Sequence, residues 1–274
     1  MLSVVLFVIL YRWIKGSPAD LSLTLHNAVG VLFYYFNWQL VSEFPNYLHH
    51  EWMFSHVWSL SVEEQFYIVW PLAILLLLKL RSPKWLIYAI VIGGIFSSAT
   101  ARAVMWAHVQ SLEPYFRTDT RADGLMWGAL CALVINQGLK PSEAWKPTVR
   151  GLAVVSLAAI LAISAFEGLN NGFLFLIGFW AVGLFSAALI YGVIFSPPTL
   201  LRNALEIPAL RWTGQISYGL YLWHWPVMRA VSELHLPHAA EVLIEMPIIF
   251  GVATISYFGM EKRALALKDR FFRA

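Results

Sequence analysis

The chain has 274 residues, a formal net charge of +3, 59% hydrophobic and only 13% charged residues, and a mean hydropathy of +0.65. A soluble domain carries about 25% charged residues, so this composition excludes a water-soluble globular enzyme, and so much apolar surface excludes disorder. The single cysteine, Cys131, excludes a disulfide framework and any Cys-based zinc or iron–sulfur site.

A bilayer core about 30 Å thick needs about 20 apolar residues per helix. On that measure the sequence predicts eight membrane segments: Met1–Ile14, which is short, then Leu60–Leu80, Trp85–Ala107, Arg121–Gln137, Gly151–Phe166, Phe173–Phe195, Ile216–Leu234 and Ala240–Lys262. They leave short loops, so residues 1–274 read as one integral-membrane domain, an all-α polytopic transmembrane helix bundle. The first segment lacks a charged leader and a small-residue cleavage site, and does not read as a signal peptide. The connection from Tyr11 to Val57 differs. It holds Pro18, Asp20, Glu43, Pro45 and Glu51 with His26, His49, His50 and His56. Within it Leu23–Leu40 is apolar and aromatic-rich, and reads as one interfacial or re-entrant helix, with a ninth span as the alternative. Gly93-Gly94, Gly178 and Gly183, in mid-span, read as points where helices approach closely.

Basic residues give orientation. Lys79, Arg81, Lys84, Lys140, Lys146, Arg150, Arg202, Arg211, Lys262, Arg263, Lys268, Arg270 and Arg273 fall on one set of connections, 13 of the 19 in the chain. The positive-inside rule puts that set in the cytoplasm. Counting back through eight spans puts Met1 inside as well, which leaves Arg12 and Lys15 on the wrong side. The pI near 9.0 is then a topology signal and not a nucleic-acid footprint, because the cations are spread between apolar stretches. The outer face collects His49, His50, His56, His108, His235, His238, Glu63, Glu64, Asp119 and Asp123. There is no Gly-rich phosphate loop, no HExxH and no EF-hand pattern.

Three segments concentrate groups able to do chemistry. In His56–Tyr67 two neighbouring carboxylates, Glu63 and Glu64, enter a membrane helix pointing about 100° apart. Their separate directions allow separate roles: a general base and a structural partner. Equally, both suit the positive end of a helix dipole. In Thr118–Gly124, Asp119 and Asp123 flank Arg121, and pairing with it would orient the guanidinium toward an anion or oxyanion. On spacing alone a capping cluster with Asp119 or Thr120 as N-cap is preferred. In Ile216–Pro226, Ser217, Tyr221 and His224 share one helical stripe. A buried imidazole there is an acid, a base or a hydrogen-bonding core residue. Arg102 and Arg229 read as snorkelling arginines, with Glu245 as a partner for one of them. His49-His50 and His235…His238 lack other donors at ligand spacing and read as loop residues, so no metal site is expected.

Together the three stretches FSHVWSLSVEEQFYIVWPL, TDTRADGLMWGALCAL and ISYGLYLWHWPV, in that order, resemble the membrane acyltransferase family 3, which includes bacterial glycan O-acetyltransferases. Asn37-Trp38 and the closing Ser256-Tyr257…Glu261-Lys262 resemble further family features, although the closing stretch lacks the family's proline. The resemblance implies ten helices, so this chain looks like an N-terminally truncated relative or an internal start. The family's first helix, with its Arg-x10-His motif and proposed catalytic histidine, has no counterpart here. The implied reaction moves an acyl group, acetyl first, from acyl-CoA (acetyl-CoA) to a hydroxyl of a cell-surface or lipid-linked carbohydrate. Its setting would be a bacterial inner membrane, with no bound cofactor. The roles expected on that basis are Glu63 as base or base-orienter beside Glu64, Arg121 for charge stabilisation, and His56 and His224 lining the acceptor side. Trp58, Asp119, Asp123, Tyr221, Ser217 and Asn37 are expected to bind substrate. The alternatives are a catalytically dead truncated homologue and a lipid-linked sugar transporter; the latter would need inverted repeats or matching broken helices, which the sequence lacks.

Overall fold

The computed structural model describes residues 1–43, 53–166, 168, 172–264 and 266–267. Among these there is no strand. The α-helices are α1 Leu2–Lys15, α2 Pro18–Leu32, α3 Phe36–Ser42, α4 Trp58–Lys79, α5 Lys84–Val109, α6 Glu113–Phe116 and α7 Thr118–Asn136. They continue with α8 Lys146–Phe166, α9 Phe179–Phe195, α10 Thr199–Leu205, α11 Pro208–Gln215, α12 Ser217–Ser232 and α13 His238–Ser256. A 3-10 turn, Ser55–Val57, leads into α4; π turns Leu174–Gly178 and Tyr257–Glu261 adjoin α9 and α13.

Each of the eight expected segments coincides with a helix. Five runs are long and apolar enough to cross a membrane: Ser55–Lys79, Lys84–Val109, Glu143–Ala165, Leu174–Phe195 and His238–Ala264. The other three are shorter. At a rise of about 1.5 Å per residue, the 14 residues of α1 and the 16 of α12 fall short of a bilayer core. In α7 the apolar stretch is confined to Ala122–Asn136, because the first turn carries Asp119 and Arg121.

The stretch Leu23–Leu40 is not one helix. It breaks after Leu32, Tyr34 takes a left-handed φ of 56°, and α3 restarts at Phe36. On a continuous helix residues 33 and 36 would share a face. The break separates them, leaving Phe33 exposed while Phe36 is fully buried against Phe54. The start of α2 is set by a capping box, in which Ser17 Oγ accepts from the Asp20 amide and Asp20 accepts from the Ser17 amide.

The chain packs as two compact units. The first comprises Met1–Phe36, Leu48–Val57 and Leu205–Ala274. Here α1 lies on α2 and α12, and α12 lies on α13, where Gly219 meets the Ala253 backbone. Arg12, counted above on the wrong side of the bilayer, is 3.7 Å from the Glu233 carboxylate, which also accepts from the Tyr11 hydroxyl at 2.5 Å.

The second unit comprises Asn37–Tyr47 and Trp58–Ala204. Here α7 packs against α4, α5 and α9, and α9 also packs against α8. Two of the mid-span glycines are close-approach points. A Cβ on Gly94 would sit 2.2 Å from the Met126 sulfur, and one on Gly183 would sit 2.5 Å from the Trp127 ring. Gly93 faces open space, and Gly178 lies within its π turn against Leu174. A less yielding contact is Gly192, where a Cβ would come within 2.6 Å of Ala153 Cβ and 3.2 Å of the Val149 carbonyl on α8. Gly192→Ala should therefore force α8 and α9 apart at a cost of about 1–3 kcal/mol. Thermal melting of the purified protein should show this drop, and Gly93→Ala should melt like the wild type.

Candidate functional site

In the second unit the site begins with a clamp. Arg102, fully buried on α5, donates to both Asp123 oxygens at 2.8 Å, to the Thr120 carbonyl at 2.6 Å and to the Phe175 carbonyl at 3.1 Å. Asp123 in turn donates its amide to Ser98 Oγ at 3.2 Å. Arg102 therefore does not snorkel. A carboxylate and two carbonyls replace its hydration inside the helix packing. Glu245 makes no ion pair among the described residues, and Arg229 packs 5.0 Å from the centre of the Trp225 ring.

This pairing corrects the expected role of the acids around Arg121. Asp123 is taken by Arg102. Asp119 is taken by Arg117, which reaches it at 2.8 and 3.0 Å and Glu113 at 3.4 Å. The bond to Asp119 holds the Arg117 guanidinium pKa above its ordinary value. Neither acid is the cap of α7. Its N-cap is Arg117, with no side-chain bond, and Thr120 Oγ1 donates to the Pro114 and Arg117 carbonyls.

Arg121 is left with no carboxylate. Its guanidinium lies 4.1 Å from the centre of the Phe179 ring, 5.2 Å from Tyr115 and 5.7 Å from Trp58. Three ring faces compensate the charge without saturating its N–H donors. Arg121 and Glu63 line the same pocket of about 180 Å³, together with Trp58, Ser59, Val62, Gly124 and Leu125. No ion pair joins them, and neither makes a hydrogen bond among the described residues. Glu64, one position on, is not part of the lining.

The walls of this pocket are aligned by an amide network. Asn37, fully buried, donates to the Phe116 carbonyl at 3.1 Å and to Thr118 Oγ1 at 3.0 Å, and accepts from Gln65 at 2.9 Å. Thr118 donates to Gln65 Oε1 at 2.5 Å. Asn37 thus ties α3, α4 and the start of α7 together, and its amide is occupied by protein. Gln65 and Arg102 were not singled out by sequence as site-forming. The signal for Gln65 was its place one turn beyond Ser61 within SVEEQFY; for Arg102 it was a charge in the middle of a span.

In the first unit a second cluster joins the 3-10 turn to α12. His56 Nε2 meets the Leu222 carbonyl at 3.2 Å, and the Tyr221 hydroxyl donates to the His56 carbonyl. His224 Nδ1 meets the Tyr221 carbonyl at 2.6 Å. A carbonyl only accepts, so Nε2 of His56 and Nδ1 of His224 each carry a proton. His56 Nδ1 is buried without a partner. The two ring centres are 5.0 Å apart, edge to face. Ser217 is exposed at the first position of α12 and does not join this cluster. His49 and His50 lie outside the described residues. Among the described residues no group of three or more His, Cys, Asp or Glu is placed to hold a metal ion.

Breaking the clamp from one side should be costly. Arg102→Met strands a buried carboxylate and should destabilise the protein by about 3–5 kcal/mol. The Arg102→Met, Asp123→Leu double variant should recover most of that loss in a thermal melt.

These features define a multi-pass membrane protein with a carboxylate and a guanidinium facing a shared pocket. The chain belongs to the family described as the acyltransferase domain, whose model matches residues 1–260. It is 29% identical over 246 residues to a peptidoglycan O-acetyltransferase, OatA, of Listeria monocytogenes, covering 84% of this chain and 39% of that protein. It is 27% identical over 239 residues to the O-acetyltransferase OatA of Staphylococcus aureus, covering 84% and 40%. It is 28% identical over 254 residues to a putative peptidoglycan O-acetyltransferase, YrhL, of Bacillus subtilis, covering 86% and 39%. The chain thus spans about two fifths of the length of these relatives. No solved structure matches it.

Proposed function

We propose that the chain is an O-acyltransferase of a bacterial cell membrane, moving an acyl group, acetyl first, from acyl-CoA to a carbohydrate hydroxyl. The peptidoglycan named for two of its relatives supports a cell-wall glycan as acceptor. The observation that carries the reading is Glu63 and Arg121 lining one pocket without pairing. A hydroxyl is a poor nucleophile until a base takes its proton. Glu63 takes that proton as the oxygen attacks the thioester carbonyl; the C–O bond forms, the C–S bond breaks, and the thiolate leaves. Arg121 faces the negative charge that develops on the carbonyl oxygen. The ring of Trp58 offers an apolar face to a sugar or to the acyl group. In the first unit, His56 Nδ1, buried without a partner, is suited to accepting from a hydroxyl. Asp119, Asp123, Asn37 and Tyr221 act as positioning groups through the bonds described above.

Glu63→Gln keeps the side chain's size and removes the base. Acyl transfer to glycan in membranes carrying the variant should fall by about 10²–10⁴-fold, at unchanged protein level and melting temperature. Transfer at the wild-type rate would remove Glu63 from the mechanism.

A further inference from the structure

A larger pocket, of about 440 Å³, lies elsewhere in the second unit, between the last turns of α4, the first turns of α5 and the last turn of α7. None of its lining residues belongs to the Glu63–Arg121 pocket. Its lining divides by chemistry. Ile74, Leu78, Ile87 and Leu133 are aliphatic, and Lys84, Tyr88, Asn136 and Gln137 are polar. Among the described residues none of these four polar side chains has a hydrogen-bond or ion-pair partner, and the Tyr88 hydroxyl is buried unbonded. Lys84, Asn136 and Gln137 are exposed, so the buried Tyr88 hydroxyl is the group that is costly to leave without a ligand.

The surroundings state the charge of the occupant. Lys79, Arg81 and Lys84 lie within six residues at the α4–α5 connection, and Lys140 follows α7 closely. No Asp or Glu occurs from residue 65 to 112 or from 124 to 142. Leu78, in the lining, is 59% exposed on a helix long and apolar enough to cross a membrane, so the cavity borders a surface that lipid covers. Clustered cations at the cytoplasmic ends of membrane helices attract anionic lipid.

We propose that this pocket binds an anionic glycerophospholipid. Its phosphate sits at Lys84, its ester and glycerol oxygens face Tyr88, Asn136 and Gln137, and the upper part of one acyl chain lies along Ile74, Leu78, Ile87 and Leu133. Nothing in this site depends on the acyl-transfer reading.

The test is native mass spectrometry of the full chain released from nanodiscs of equal parts phosphatidylglycerol and phosphatidylcholine. The wild type should retain phosphatidylglycerol preferentially. Lys84→Gln, at an exposed position that leaves folding intact, should lower that preference about fivefold, and Lys84→Arg should keep it. Tyr88→Phe should shorten retention of either lipid. Equal retention of the two lipids by the wild type would overturn the proposal, as would a preference unchanged in Lys84→Gln. Displacement of the bound lipid by inorganic phosphate or by coenzyme A would also overturn it, because the pocket would then serve a soluble anion.

Discussion

The bidentate ion pair between Arg102 and Asp123 is the constraint around which the second unit is arranged. An ion moved out of water loses several kcal/mol of solvation, and a single ill-placed partner does not restore it. Arg102 meets that demand with four donor contacts to three groups on two chain segments: the Asp123 carboxylate and the Thr120 carbonyl of α7, and the Phe175 carbonyl of the π turn. The clamp therefore fixes α5 against the first turns of α7 and against the π turn ahead of α9. Thr120 and Asp123 bracket Arg121 in the chain, so holding both sets the rotation of α7 and with it the direction of Arg121. Trp58, Ser59, Val62 and Glu63 of α4 are what Arg121 then faces across the pocket.

The consequence is an allocation of charge. Around the start of α7 lie three arginines and three acids, Glu113, Asp119 and Asp123. Arg117 takes two of these acids and Arg102 takes the third, each with near-parallel contacts to both oxygens of one aspartate. Arg121 receives aromatic faces instead. Cation–π contacts are worth about 0.5–2 kcal/mol each, enough to hold the guanidinium in place without consuming its hydrogen-bond donors. A site that must respond to charge appearing on a substrate needs such a cation, held but not neutralised.

Helix positions and the polar motifs were legible in the sequence because their causes are local. Hydropathy over about 20 residues marks a span, and Glu63 and Glu64 are carried by one helix whatever lies beside it. What the sequence hid was pairing across elements. Nearness along the chain made Asp119 and Asp123 look like partners of Arg121, yet Arg102, 21 residues from Asp123, had the better geometry. The same distance effect hid the hub at Asn37, whose bonds reach residues 79 and 81 positions away. The break at Tyr34 was also out of reach, because it depends on Phe36 finding a buried place beside Phe54. His56 and His224, 168 positions apart, both stood out as candidates, but only the fold shows their rings in contact.

In the first unit the backbone decides what those two imidazoles offer. Each gives an N–H to a carbonyl, His56 to Leu222 and His224 to Tyr221. A neutral imidazole bound in this way has nothing left to donate, and it presents a directed lone pair. A carboxylate or phosphate would meet that lone pair with repulsion; a hydroxyl would meet it with a hydrogen bond. The lone pair of a neutral imidazole suits groups that donate a proton, and the Arg121 guanidinium of the second unit suits groups that bear negative charge. Neither arises from the side chains alone: the backbone carbonyls set the first, and the clamp that withdraws Asp123 sets the second.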